Sequence, residues 1–141
     1  MGLDTSHDCW HGPYSSFTRF RNELAKAAGY EVKPVTYDDG MTYDTVDIDW
    51  RRIDRDNPEA YLGVWQVPES DPLVYLIAHS DCNGVLKPEQ AEPLAERLEV
   101  LVPTLREREA GAALPWVAKK AEQFAAGLRR AIAAGEDVDF H

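Results

Sequence analysis

The chain has 141 residues, 44% of them hydrophobic and 10% aromatic, and a formal net charge of −10 at pH 7. That length fits a single domain, residues 1–141, which buries roughly 68–70% of the surface its unfolded form exposes and needs no covalent staples. The composition excludes wholesale disorder, and the acidity argues against direct binding to nucleic acid or to an anionic membrane.

Arginine and lysine cluster locally at Arg19–Arg21, Arg51–Arg55 and Arg129–Arg130, without the interleaved aromatics of a nucleic-acid surface. Two cysteines are too few for a disulfide framework. The first residues show no charged and apolar leader, and no apolar run approaches the ~20 residues of a membrane helix. The expected compartment is the cytoplasm.

The opening segment, Gly2 to His11, holds the first histidine and cysteine window and is taken up below. Gly12-Pro13 then predicts a helix start, because proline suits a first turn. Tyr14, Phe17, Phe20, Leu24 and Ala27/Ala28 recur at helical spacing, and Gly29 supplies a left-handed end. Glu31–Tyr37 reads as an edge strand because of Pro34, and Asp38-Asp39-Gly40 reads as a turn. Val46, Ile48 and Trp50 alternate with Asp47 and Asp49 in the period-two pattern of a half-buried strand. Asp54–Ala60 is a polar loop, and Tyr61–Val67 is another strand candidate.

Leu73–Ala78 is the most hydrophobic run and reads as a central strand that ends at His79. A second helix carries Leu94, Ala95, Leu98, Leu101 and Val102 and starts at either Pro88 or Pro93. Arg106–Gly111 is predicted as a charged loop. A third helix begins near Pro115-Trp116, buries Val117, Ala121, Phe124, Leu128 and Ala131/Ile132, and ends at Gly135. Asp137–Phe140 is a last short strand. The expected fold is α+β, a small sheet of about 4–5 strands packed with three helices.

Five of the six histidines and cysteines fall in two short windows, His7–His11 and His79–Cys82. His and Cys ligate transition metals and act as bases and nucleophiles near neutral pH. If residues 7–11 are extended, His7, Cys9 and His11 share a face; if they are helical, His7 and His11 sit one turn apart. Zinc needs about four N, S or O ligands, and His7, His11 and His79 with Cys9, Cys82 or Asp81 supply such a set. No CxxC or HExxH spacing accompanies it.

Three other readings stand beside this one. The run from His79 through Asp81 and Asn83 to Gly84 partly follows a calcium loop, although Gln90 replaces the closing glutamate. A catalytic reading makes Cys82 or Cys9 a nucleophile, with His79 or His11 as base and Asp81 or Asp8 orienting it. The bland reading is that of buried thiols and satisfied histidines. Trp10, with Trp50, Trp65 and Trp116, offers stacking surface for a planar ligand or simply fills the core. His141 joins the cluster if the last strand docks there.

The stretches Gly2-Leu3-Asp4-Thr5-Ser6-His7-Asp8-Cys9-Trp10-His11-Gly12 and His79-Ser80-Asp81-Cys82-Asn83-Gly84 together resemble a group of short uncharacterised proteins of bacteria and tailed phages. Asn83 stands where that group usually has aspartate. The resemblance implies no activity.

The leading expectation is a non-catalytic accessory protein that binds a small ligand or a metal ion, with zinc as the metal. If phage-encoded, it would act on host signalling or a host protein in the host cytoplasm. The alternatives are a zinc hydrolase built on the His/Cys/Asp cluster, and an acidic interaction inhibitor without pocket chemistry.

Overall fold

The computed structural model describes residues 2–30, 32–36, 38, 40–46, 71–77, 79, 83–112 and 115–141. Strand β1 (Gly2–Asp4) pairs antiparallel with β2 (His11–Pro13), with Leu3 opposite Gly12 and Asp4 opposite His11. A single 3₁₀ turn, Ser6–Asp8, lies between them. Helix α1 (Tyr14–Ala27) starts where the Gly-Pro signal predicts, although Pro13 is its extended N-cap residue and not part of the first turn. It buries Phe17, Phe20, Leu24 and Ala25. Gly29, at φ +89°, ends it: the Gly29 and Tyr30 N–H groups donate back to Lys26 and Ala25.

Strands β3 (Val32–Thr36) and β4 (Thr42–Val46) form a hairpin, with Thr36 opposite Thr42 and Pro34 opposite Asp44. Pro34 is tolerated because, among the described residues, the hairpin is a two-stranded ribbon and has only edges. Of the next predicted strand, Val46 is the last residue of β4. Residues 47–50, the Asp54–Ala60 loop and the Tyr61–Val67 strand lie outside the described residues.

The expected strand Leu73–Ala78 is instead one turn of helix, α2 (Val74–Ile77). Asp71-Pro72 accounts for the difference. The Asp71 carboxylate accepts the Leu73 N–H at 2.9 Å, and its carbonyl accepts the Val74 N–H at 3.3 Å. The Ile77 N–H then closes the turn on the Leu73 carbonyl at 3.0 Å. An aspartate cap and a proline in the first turn decide a short apolar run whose periodicity alone is ambiguous. Leu73, Val74, Leu76 and Ile77 are buried all the same.

Two arginines clamp this segment. Arg97 donates from Nε and Nη2 to the two Asp71 oxygens at 3.1 and 3.4 Å, and the Tyr30 hydroxyl also donates to Asp71. At the other end Arg21 donates to the Ile77 and His79 carbonyls at 3.2 and 2.6 Å. A cation suits the carbonyl end of a helical turn.

After β5 (Val85–Leu86), helix α3 runs Pro88–Arg108, so it starts at the earlier proline and carries Pro93 and Pro103 within it. Gln90 closes its N-terminus by accepting the Lys87 N–H at 3.0 Å. The charged loop expected from Arg106 begins later, at Glu109, because buried Leu105 keeps the last turn on the core. Helix α4 (Val117–Ala134) packs along α3 and ends at Gly135, φ +67°. Strand β6 (Val138–Asp139) then pairs with β5.

The class is α+β, with three long helices. Among the described residues the sheet content is smaller than a sheet of 4–5 strands: three two-stranded ladders. Two of them are joined by a bridge between Thr5 and Phe140. The Asp4 and His141 backbones also exchange hydrogen bonds at 2.9 Å in each direction. No helix among the described residues is long and apolar enough to cross a membrane.

The core centres on aromatics. The Trp10 ring lies 5.1 Å from both Phe17 and Phe20, and Phe124 and Phe140 close the cluster. Helix α4 meets the N-terminal loop at Gly127, where an added Cβ would sit 2.8 Å from the Cys9 Cα and 2.9 Å from its nitrogen. Gly127→Ala should therefore destabilise the chain by about 1–3 kcal/mol, despite alanine's helix propensity. Urea denaturation checks this. An unchanged midpoint would show that α4 can retreat from the loop.

Candidate functional site

The first window is a closed loop. The Thr5 N–H donates to the Trp10 carbonyl at 3.0 Å, and the Trp10 N–H donates to the Thr5 hydroxyl at 2.9 Å. Inside it His7 (φ +61°) and Asp8 (φ +56°) take the left-handed conformation. That region is uncommon for side-chain-bearing residues, although His and Asp enter it more often than most. Helix α4 holds the two residues there. Arg130 donates two bonds to the His7 carbonyl, at 3.1 and 2.6 Å, and Gln123 donates to the Asp8 carbonyl at 3.2 Å.

The side chains of the window point to different partners. Ser6 Oγ accepts the Asp139 N–H at 2.8 Å, so its own proton faces His7 Nδ1, also 2.8 Å away. In the neutral ring this leaves the His7 Nε2–H to donate to Glu136, at 3.2 Å. The result ties the loop to the α4–β6 connection.

His11 is half exposed and lies between two carboxylates: Nδ1 is 2.8 Å from Asp4 and Nε2 is 3.0 Å from Asp8. Both contacts are hydrogen bonds only when the ring is protonated. Asp8, then Asp4, raises the His11 pKa above its ordinary value, and the His11 bond lowers that of Asp8. The two carboxylates meet opposite nitrogens of one ring, so they do not converge on a common point.

Cys9 is a fully buried free cysteine. Burial pushes its thiol up to about 12, and the Thr5 hydroxyl and Arg130 offset only part of this. A thiol held protonated is a poor nucleophile. Trp10 is buried among phenylalanines, with the Lys120 ammonium 5.0 Å from its ring centre. It is a core residue, not an open stacking platform.

In the second window His79 is buried. Its ring stacks on Phe140 at 3.9 Å, and Nε2 donates to the Val85 carbonyl at 2.9 Å. Its carbonyl is occupied by Arg21. Asn83 is exposed, and Gly84 (φ +92°) passes close over the His79 ring. Asp81 and Cys82 lie outside the described residues. The first calcium-loop position is thus a core imidazole.

The two windows approach the same strand from opposite edges. β6 pairs with β5 on one side, and Phe140 bridges Thr5 on the other. The His7, His11 and His79 rings nevertheless bond separate partners. Among the described residues no group of three or more His, Cys, Asp or Glu side chains is arranged to hold a metal ion. The last strand docks as the sequence suggests, and it brings the His141 backbone beside Asp4.

Arg130, Gln123 and Glu136, which build the loop, carried no motif in the sequence. Their only signal was position: residues 123 and 130, with Gly127 between them, recur at helical spacing on one face of α4.

A second feature lies at the α3–α4 corner, a cleft of about 630 Å³ that includes Arg106, Trp116, Lys119 and Glu122 in its lining. Glu109 forms one wall and caps α4, accepting the N–H groups of Trp116, Val117 and Ala118. Burial raises the Glu109 pKa, but those three donors outweigh it and lower the net value. The volume suits a small ligand.

Cys9 should resist alkylation in the folded chain and react only after denaturation. Residue-resolved mass spectrometry after iodoacetamide treatment with and without urea checks this, and rapid native labelling would mean that the loop opens. No protein-family model matches the chain, and neither does any curated protein or solved structure.

Proposed function

We propose that the protein is a non-catalytic binding protein whose acidic exterior docks a basic partner. In keeping with its resemblance to short proteins of bacteria and tailed phages, that partner would be a host protein if the chain is phage-encoded. The observation that carries this reading is the outer face of α3. Glu89, Glu92 and Glu96 recur there at three- and four-residue spacing, all exposed, and Val100, 65% exposed, lies one turn beyond Glu96; Glu99 beside it is paired with Arg129 of α4 at 2.6 Å. An apolar side chain set in a carboxylate stripe matches a basic partner that carries one apolar contact. The described histidines and Cys9 hold the fold together, which weighs against the zinc hydrolase and the metal-binding readings.

The α3–α4 cleft favours a second reading, a small polar ligand held by Lys119 against Trp116, beside the Arg106–Glu122 ion pair of the cleft wall.

Calorimetric titration with a lysine-rich peptide tests the first reading. Binding should appear at about 50 mM salt and weaken about tenfold or more by about 300 mM, as screening shortens the reach of charge. Glu89→Lys, Glu92→Lys and Glu96→Lys together should abolish it. Binding that ignores these changes would overturn the reading, as would near-stoichiometric zinc in the purified protein.

A further inference from the structure

We propose that the loop Thr5–Trp10 is a proton-set latch: charged His11 grips Asp4 and Asp8 together, and neutral His11 lets Asp8 go. It does not rest on the docking reading, since none of its residues belongs to α3.

Donor count sets the limit. An imidazolium has two N–H groups, and both are used, one on each carboxylate. A neutral ring has one. Its other nitrogen then presents a lone pair to a carboxylate oxygen about 3 Å away, which is repulsive. One contact must be given up.

The backbone decides which. Asp4 belongs to β1 and is held on both sides, opposite His11 in the ladder and bonded to the His141 backbone. Asp8 sits in a left-handed conformation, with its side chain 79% exposed. Relaxing Asp8 relieves backbone strain, whereas moving Asp4 breaks a ladder. Release therefore falls on Asp8 and loosens the segment that Arg130 and Gln123 hold by its carbonyls.

The charged surroundings are few. Asp4 faces His11 from β1, and Asp8 faces it from the loop. Behind Asp8 stand Arg130 of α4 and His7, and His7 is joined to Glu136. His141 lies beside Asp4 on the β6 side. The first turn of α1 carries no acidic side chain and reads Tyr14-Ser15-Ser16-Phe17.

The sign follows from the raised His11 pKa. A group whose folded value lies above its unfolded one stabilises fully below the ordinary value of 6.5 and loses that contribution as pH rises through the folded value. The latch is closed in mild acid and opens on the alkaline side.

NMR titration of the full chain from about pH 5 to about pH 10 spans the imidazole range and tests this. The His11 ring should titrate with a midpoint above 6.5, and the amides of His7, Asp8 and Cys9 should move with the same midpoint while those of α3 stay still. Asp8→Asn keeps a residue that tolerates the left-handed backbone and should shift the His11 midpoint down. His7→Gln should leave the step in the Asp8 and Cys9 amides in place, which assigns the step to His11. Loop amides indifferent to the His11 titration would overturn the latch, as would an Asp8→Asn midpoint equal to wild type. If that variant fails to fold, the wild-type titration alone decides.

Discussion

Helix α4 lies against the N-terminal loop only because position 127 has no side chain. The backbone of Cys9 occupies the space a Cβ would need. That approach brings one helix face onto three successive loop residues. Gln123 reaches the Asp8 carbonyl, Gly127 receives Cys9, and Arg130 reaches the His7 carbonyl. The spacing of four and then three residues is the helical repeat. The left-handed backbone at His7 and Asp8, the burial of Trp10 and the docking of β6 through Ser6 all follow from this seat.

The same seat explains why so much chemically able material stands at the N-terminus without forming a reactive centre. A closed loop with two left-handed residues leaves carbonyls and side chains that need partners. His7, Ser6 and Glu136 satisfy one side, and Asp4, His11 and Asp8 satisfy the other. His79 does equivalent work at the far edge of β6, where its ring is both a stacking partner for Phe140 and a donor to Val85. Concentration of His and Cys in the sequence marked where the chain is knotted together.

The long helices were legible because their apolar spacing and their ends agree: Pro13 and Gly29 for α1, Gly135 for α4. The last strand was legible as well. Leu73–Ala78 misled because a short apolar run has the same composition in a buried strand and a buried helical turn. The deciding residues, Asp71 and Pro72, precede the run, and their partner Arg97 is distant in sequence. The start of α3 was ambiguous for a related reason: neither Pro88 nor Pro93 reveals that Gln90 caps the earlier position. The site was legible as a location only. Which imidazole nitrogen meets which carboxylate depends on α4 and β6, and no local pattern encodes that.

The pairing of Asp4 with His141 has a kinetic meaning. Bonds that close the N-terminal loop span 123, 129 and 133 residues of chain. Contacts so remote in sequence carry the greatest loop-closure cost, and chains rich in them fold slowly. The α3–α4 pair is joined by a short connection and offers the cheapest early contacts. The knot of Ser6, His7 and Arg130 belongs to the end of the folding reaction: a fastener drawn shut on a helical pair already in place, and the first part to open when the chain is strained.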